Sequence, residues 1–356
     1  MKKYLVDLSF IKPGKITGIE RYALNLVNSL LKLSSQNKIS LIILKSKNLN
    51  IGNTNQAKII NLTKNRYINL IVLNLFINIL KFDYFLSLGF PILLPIKNIK
   101  ILRVIHDNFF NERSQLNSWK EKYIISKFEK KLINYYYKLI TVSKYSQNKI
   151  FTNVEKKISI LPNCISNKFI GRNQYNIRAK FTNKKLLCVG TINERKNYEF
   201  IIKVFNKLSN KTHGFQIEIV GKFGWNFNNF LDQYNKSNFQ NKIFIENTLT
   251  DDELILRYQQ ASILLVPSHD EGFCIPIIEA QYFGTPVIVN NINIFHEVGE
   301  DSLLYEYLDE NLWVDRINNL LSNFDEYLKY SNDSILNSSK YLPEHYEDKL
   351  YEILQS

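Results

Sequence analysis

Pro267-Ser268-His269-Asp270-Glu271-Gly272-Phe273-Cys274-Ile275-Pro276-Ile277-Ile278-Glu279-Ala280 carries more structural information than any comparable run in the chain. The residues just before it, 262–266, are short, apolar and mostly branched, and predict a buried parallel strand. Gly272 permits a tight turn, and Pro276 stands where a helix would begin, its fixed φ suiting the first turn. Glu271 then falls in the loop at the C-terminal end of a strand, with Glu279 about one turn into the following helix. Open α/β sheets bind their ligands at that edge. The backbone amides of Phe273, Cys274 and Ile275, at a helix start, face the same crevice and suit an anionic or hydroxylated ligand. Two carboxylates beside such a terminus fit a ligand with both hydroxyls and phosphates, such as a nucleotide sugar.

Short apolar runs alternate with helical patterns along the rest of the chain, which predicts parallel sheets built from βαβ units. In the first half the expected strands are 4–8, 41–44, 84–88, 101–105 and 139–142. In the second they are 185–189, 216–220, 243–246, 262–266 and 287–289. Two such sets imply an α/β chain of two Rossmann-like domains, joined near Pro162-Asn163-Cys164-Ile165-Ser166-Asn167. The last segment, 341–356, has a helical pattern.

Three further loops follow predicted strands. Val189-Gly190-Thr191-Ile192-Asn193-Glu194-Arg195-Lys196-Asn197 ends a strand and opens a helix, so Arg195 and Lys196 would set two cations against a diphosphate. Pro13-Gly14-Lys15-Ile16-Thr17-Gly18-Ile19-Glu20-Arg21-Tyr22 has Thr17 and Glu20 at capping-box spacing, which starts a helix at Gly18. A phosphate could approach the backbone at Gly18, with Arg21 offsetting the repulsion from Glu20. His106-Asp107 ends the strand 101–105. Thr250-Asp251-Asp252-Glu253 is a second capping box, with a structural role.

These motifs together resemble the retaining glycosyltransferases of family 4. Members of that family typically read Pro-Ser-x-x-Glu-Gly-Phe-Gly-x-Pro, then a second Glu-Ala and Gly-x-Pro-Val. This chain supplies the counterparts through Glu279-Ala280, Gly284 to Ile288 and His296-Glu297-Val298-Gly299. Thr17-Gly18-Ile19-Glu20-Arg21-Tyr22 is similar to the N-terminal glycine loop of the mannosyl- and rhamnosyltransferases of O-antigen or capsule assembly. His106-Asp107, Thr141-Val142-Ser143, Leu161-Pro162-Asn163 and Lys196-Asn197 also have family counterparts. Cys274 stands where the family commonly has glycine, and Thr191 where many members carry arginine.

The resemblance implies the GT-B fold, with two parallel-sheet domains facing a central cleft. The N-terminal, acceptor-side domain would be 1–165, completed by the helix 341–356, and the nucleotide-sugar-binding domain 166–340. It implies transfer of a hexose, mannose as the best guess, with retained anomeric configuration and without a metal or other cofactor. Glu279 would take the ribose diol, and Arg195 and Lys196 the diphosphate. Glu271 and the amides of Gly272, Phe273, Cys274 and Ile275 would hold the sugar. His106 would lie near the anomeric carbon, with Asp107 and Arg21 either contacting the acceptor or supporting the residues that do. The acceptor would be a glycan, lipid-diphosphate-linked, at the inner face of the cytoplasmic membrane.

Composition sets the bounds. With 356 residues the chain can build two cores, and three cysteines at no metal-like spacing fit a reducing cytosol. The sequence opens directly into a strand pattern, so no signal peptide is expected, and the apolar segment 68–80 is too short to span a membrane. Charge is uneven, +23 over residues 1–180 and −10 over 181–356, which points the basic half at an anionic partner. A membrane surface is favoured over nucleic acid, for which no zinc-knuckle, RNP-like or helix-turn-helix pattern occurs. The basic, aromatic segment 119–137 could be a membrane-facing or a core-packed helix. A GT-B sugar-nucleotide epimerase, a nucleic-acid-binding module and an inactive glycan-binding relative are the alternatives. Nicotinamide-binding and P-loop glycine motifs are both missing.

Overall fold

The computed structural model describes residues 1–11, 18–51, 54–62, 82–89, 99–106, 132–150, 154 and 158–356. Asp107, the cap residue Thr17, the segment 68–80 and most of the segment 119–137 lie outside the described residues. The chain divides into two compact units, Met1–Cys164 with Pro343–Ser356, and Ile165–Leu342.

The first unit is built on a parallel sheet. Its strands are β1 (Lys3–Asp7), β2 (Ser40–Ser46), β3 (Ala57–Leu62), β4 (Tyr84–Ser87), β5 (Lys100–Ile105), β6 (Lys138–Thr141) and β7 (Ile158–Ile160). They run in the order β3-β2-β1-β4-β5-β6-β7. Leu5, Phe85, Ile101, Tyr136 and Leu139 form its apolar centre. The helix Gly18–Ser35 starts at the glycine expected from the sequence and buries Tyr22, Leu26, Val27 and Leu30.

The last helix, Pro343–Gln355, belongs to this unit although 178 residues of the other unit precede it. Its final carbonyls would be orphaned at a helix end. Lys2 Nζ donates to Leu354 O at 3.2 Å, Tyr4 Oη to the same oxygen at 3.1 Å, and Lys138 Nζ to Ile353 O at 2.6 Å. Two cations at the negative end of the helix dipole fasten it to β1 and β6.

The second unit carries a parallel sheet of β8 (Lys185–Val189), β9 (Gln216–Val220), β10 (Ile243–Glu246), β11 (Ile263–Val266), β12 (Val287–Asn290) and β13 (Leu304–Glu306). Its order is β10-β9-β8-β11-β12-β13. The chain winds outward through β9 and β10, then returns to place β11 beside β8, so the direction of winding reverses between β8 and β11. Ligands bind such sheets at that switch point, outside the carboxyl ends of the strands. Phe205, Phe215, Trp313, Ile317 and Tyr327 fill the core beneath. Thr250 caps the helix Asp251–Gln260 as the sequence predicts: its amide donates to Glu253 Oε2 at 2.7 Å and Glu253 N to its hydroxyl at 3.3 Å.

No helix among the described residues is long and apolar enough to cross a membrane.

Candidate active site

Because β8 and β11 are neighbours, the loops that leave them lie side by side. The loop after β8 turns at Gly190, whose φ is 146°. A β-carbon there would come within 3.1 Å of Lys196 Cε and of the Tyr198 hydroxyl, so a side chain at this position would crowd Lys196. Asn193 then caps a 3₁₀ turn, Glu194–Lys196, by accepting from Lys196 N at 3.0 Å. Asn197 takes a left-handed conformation, φ 55°, which asparagine tolerates, and opens the helix Tyr198–Lys211.

The two loops are laced together. His269 N donates to Arg195 O at 2.9 Å, Asn197 Nδ2 to Pro267 O at 3.3 Å, and Arg195 Nη1 to Asp270 O at 2.8 Å. Glu271 sits where they meet, 6 % exposed. Its Oε2 accepts from Arg195 Nη1 at 2.7 Å. Its Oε1 lies 2.5 Å from Lys196 Nζ and accepts from Ser268 Oγ at 2.9 Å. Burial pushes this carboxyl up, but Arg195, Lys196 and the Ser268 hydrogen bond more than offset it, and the pKa is held at about 2. The residues expected to bind phosphate and the one expected to bind sugar are therefore in direct contact with each other. One carboxylate orients two cations while leaving a net positive charge.

The turn after Glu271 differs from the sequence expectation in one respect. Its left-handed residue is Cys274, at φ 76° and ψ 73°, two positions beyond the glycine assigned to permit it. A non-glycine residue there is strained. Cys274 is buried and its thiol is pushed up to about 12, burial being the main cause. Phe273 and Ile275 are likewise buried, and Phe273 meets the Tyr341 ring edge-on at 5.5 Å. The helix Ile275–Tyr282 carries Pro276 in its first turn and Glu279 on its buried side. Glu279, 2 % exposed, accepts from the Tyr258 hydroxyl at 2.9 Å.

The structure thus brings Arg195, Lys196, Glu271, Gly272, Phe273, Cys274, Ile275 and Glu279 to one edge of the second unit. Thr191 packs its methyl against Gly224 in the loop after β9, where a β-carbon would stand 2.6 Å from it. The roles of Ser268, Asn193 and Tyr258 were missed in the sequence. Ser268 lies inside the motif, but a serine three residues from a glutamate carries no signal by itself.

Gly18, Arg21 and His106 belong to the first unit. Gly18 opens the helix that follows β1, and a β-carbon there meets none of the described residues within 4 Å. His106 follows β5, and its ring stands edge-on to Tyr22 of that same helix at 4.6 Å. Burial, with Arg103 nearby, lowers its pKa to about 3, so the imidazole is neutral at ordinary pH. Its Nε2 is shielded and has no hydrogen-bond partner among the described residues. Among the described residues no group of three His, Cys, Asp or Glu could hold a metal ion.

Two parallel-sheet units, one with a switch-point site of this make-up, define the GT-B class of glycosyltransferase folds. The whole chain is similar to a sucrose-phosphate synthase of Thermosynechococcus elongatus, with a TM-score of 0.78 at 15 % identity, covering 100 % of this chain and 98 % of that one. Residues 172–335 match the family model described as Glycosyl transferases group 1. The chain is also 29 % identical over 120 residues to the serotype-specific mannosyltransferase WbdA of Escherichia coli, which is 33 % of this chain and 15 % of WbdA. It is 38 % identical over 104 residues to the O-antigen chain mannosyltransferase RfbU of Salmonella typhimurium, 27 % of this chain and 30 % of RfbU. The chain therefore matches less than a third of the length of either relative.

Proposed function

We propose that this chain is a retaining family 4 glycosyltransferase that moves a hexose, mannose by preference, from a nucleoside-diphosphate sugar to a growing surface polysaccharide. The observation that carries this reading is Glu271 clamped between Arg195 and Lys196 at the switch point of the second sheet. A departing nucleoside diphosphate gathers negative charge as the anomeric bond breaks, and two preorganised cations stabilise it without a metal ion. Glu279 receives the ribose diol, and Glu271 with the amides that follow it holds the sugar hydroxyls. The anomeric carbon loses its bond to the phosphate oxygen and gains one to the acceptor oxygen on the same face. The acceptor proton passes to the leaving phosphate. His106, being neutral, serves as a hydrogen-bond partner for the sugar rather than as an acid.

A panel of nucleoside diphosphates in a thermal-shift assay tests the donor. GDP is expected to raise the melting temperature most, since a ligand at 100 times its Kd adds about 2.7 kcal/mol. If none of the common nucleoside diphosphates stabilises the protein, the donor assignment is wrong.

The acceptor is lipid-diphosphate-linked in this reading, and the basic N-terminal half, +23 over residues 1–180, holds the enzyme on the anionic inner face of the cytoplasmic membrane. Sedimentation with vesicles should show binding to phosphatidylglycerol but not to pure phosphatidylcholine, reversed by salt beyond the screening range. Binding indifferent to lipid charge would remove the membrane from the proposal.

A further inference from the structure

Tyr258 has no exposed surface, and its surroundings leave it no freedom. Its backbone carbonyl accepts from Lys180 Nζ at 2.8 Å and from Thr285 Oγ1 at 3.0 Å. Lys180, itself buried, spends its other donors on Phe283 O at 2.8 Å and Thr285 Oγ1 at 2.5 Å, tying the end of the helix Asp251–Gln260 to the end of the helix Ile275–Tyr282. The Tyr258 ring stacks on Phe283, centroids 6.0 Å apart and planes 10° from parallel, with Phe169 at 6.3 Å. Phenylalanine would fill this aromatic niche as well as tyrosine does. A buried hydroxyl without a partner is unfavourable, so the hydroxyl is explained by what it bonds, Glu279 Oε2 at 2.9 Å.

That bond does something packing cannot. The terminal torsion of a glutamate side chain is broad and nearly two-fold, so a carboxylate on a helix does not by itself present one oxygen in one direction. A phenol fixed by its own backbone, donating to one oxygen, sets the plane of the carboxylate before any ligand arrives. We propose that Tyr258 is the positioning residue that aims Glu279 at the ribose diol, and through it sets the preference for ribonucleotide over 2′-deoxyribonucleotide donors. This rests on the reading of Glu279 as the ribose-binding acid. The site discriminates by the hydroxyl it is built to meet, because an analogue lacking that hydroxyl forfeits a hydrogen bond to a charged group.

Calorimetry of the full chain with GDP, UDP and their 2′-deoxy counterparts tests this. Wild type should favour the ribonucleotide by on the order of 10–100-fold, as expected for a hydrogen bond to a charged group. In Tyr258→Phe that preference should fall by about 10-fold, while the Kd of the 2′-deoxy ligand changes by no more than about 2-fold. In a Glu279→Gln background the same substitution should have little further effect. Equal weakening of both ligands would mean that Tyr258 only supports the fold, and an undiminished ribose preference would mean that Glu279 is oriented without it. Either result overturns the inference while leaving the donor assignment standing. A wild-type protein that binds nucleoside diphosphates without regard to the 2′-hydroxyl, or not at all, removes the ribose-binding role of Glu279 and this inference with it.

Discussion

Replacing Lys196 by methionine is expected to lower kcat/KM for sugar transfer by about 10²–10³-fold, the cost of losing one preorganised charge contact to a transition state. The Lys196 amide donates to the Asn193 side chain at 3.0 Å, its stem lies along Gly190 where a β-carbon would crowd it at 3.1 Å, and its ammonium sits 2.5 Å from Glu271. Methionine keeps most of the volume and removes the charge. The loss should fall mainly on kcat, because the diphosphate carries more negative charge as it departs than when the donor first binds. Arg195 remains to bind the ground state, which limits the change in KM. Initial rates with a nucleotide sugar and an acceptor glycan, at several concentrations of each, separate the two constants. A variant that turned over within about 5-fold of wild type would show that Lys196 does not face the leaving group.

The sequence made the interior of each sheet legible, and the edges less so. All ten expected strands are present, with ends shifted by at most two residues. The three that escaped notice, β3, β7 and β13, are all outermost strands. Central parallel strands are buried on both faces and read as unbroken apolar runs, as Ile263–Val266 does. An edge strand keeps one side wet: Ala57–Leu62 includes Lys58 and Asn61, while β7 and β13 have only three residues each. In the site, each loop was readable by itself, because strand ends, caps and glycines are local signals. The union of Arg195 with Glu271 was not, since 76 positions separate them and only the crossover that sets β11 beside β8 brings them together. Tyr258 gave no hint either. A tyrosine on the apolar side of a short amphipathic helix reads as core, and its hydroxyl acquires a purpose only once the neighbouring helix is in place.

The ion triad at Glu271 should also be visible as acid sensitivity. Its carboxyl has a folded pKa of about 2 against an ordinary value of 4.5, so the folded state holds the proton less readily than the unfolded chain. A depressed carboxylate contributes its stabilisation in full above about 4.5 and loses it as the pH falls through about 2. A shift of this size corresponds to on the order of 3 kcal/mol. Glu271→Gln tests this because it cannot titrate. At pH 6 it leaves Arg195 and Lys196 facing a neutral amide with little access to water, and should destabilise the protein by about 3–5 kcal/mol. As the pH drops from 5 towards 2 the wild-type carboxylate becomes protonated and comes to resemble the amide, so the gap between the two proteins should close. Urea unfolding of both at half-unit steps measures that gap directly, followed by a near-ultraviolet signal from the second unit, whose core holds Trp313. A gap that stays constant over this range would mean that Glu271 does not carry its charge between Arg195 and Lys196 in solution. The leaving-group chemistry assigned to those two cations would then lose its anchor.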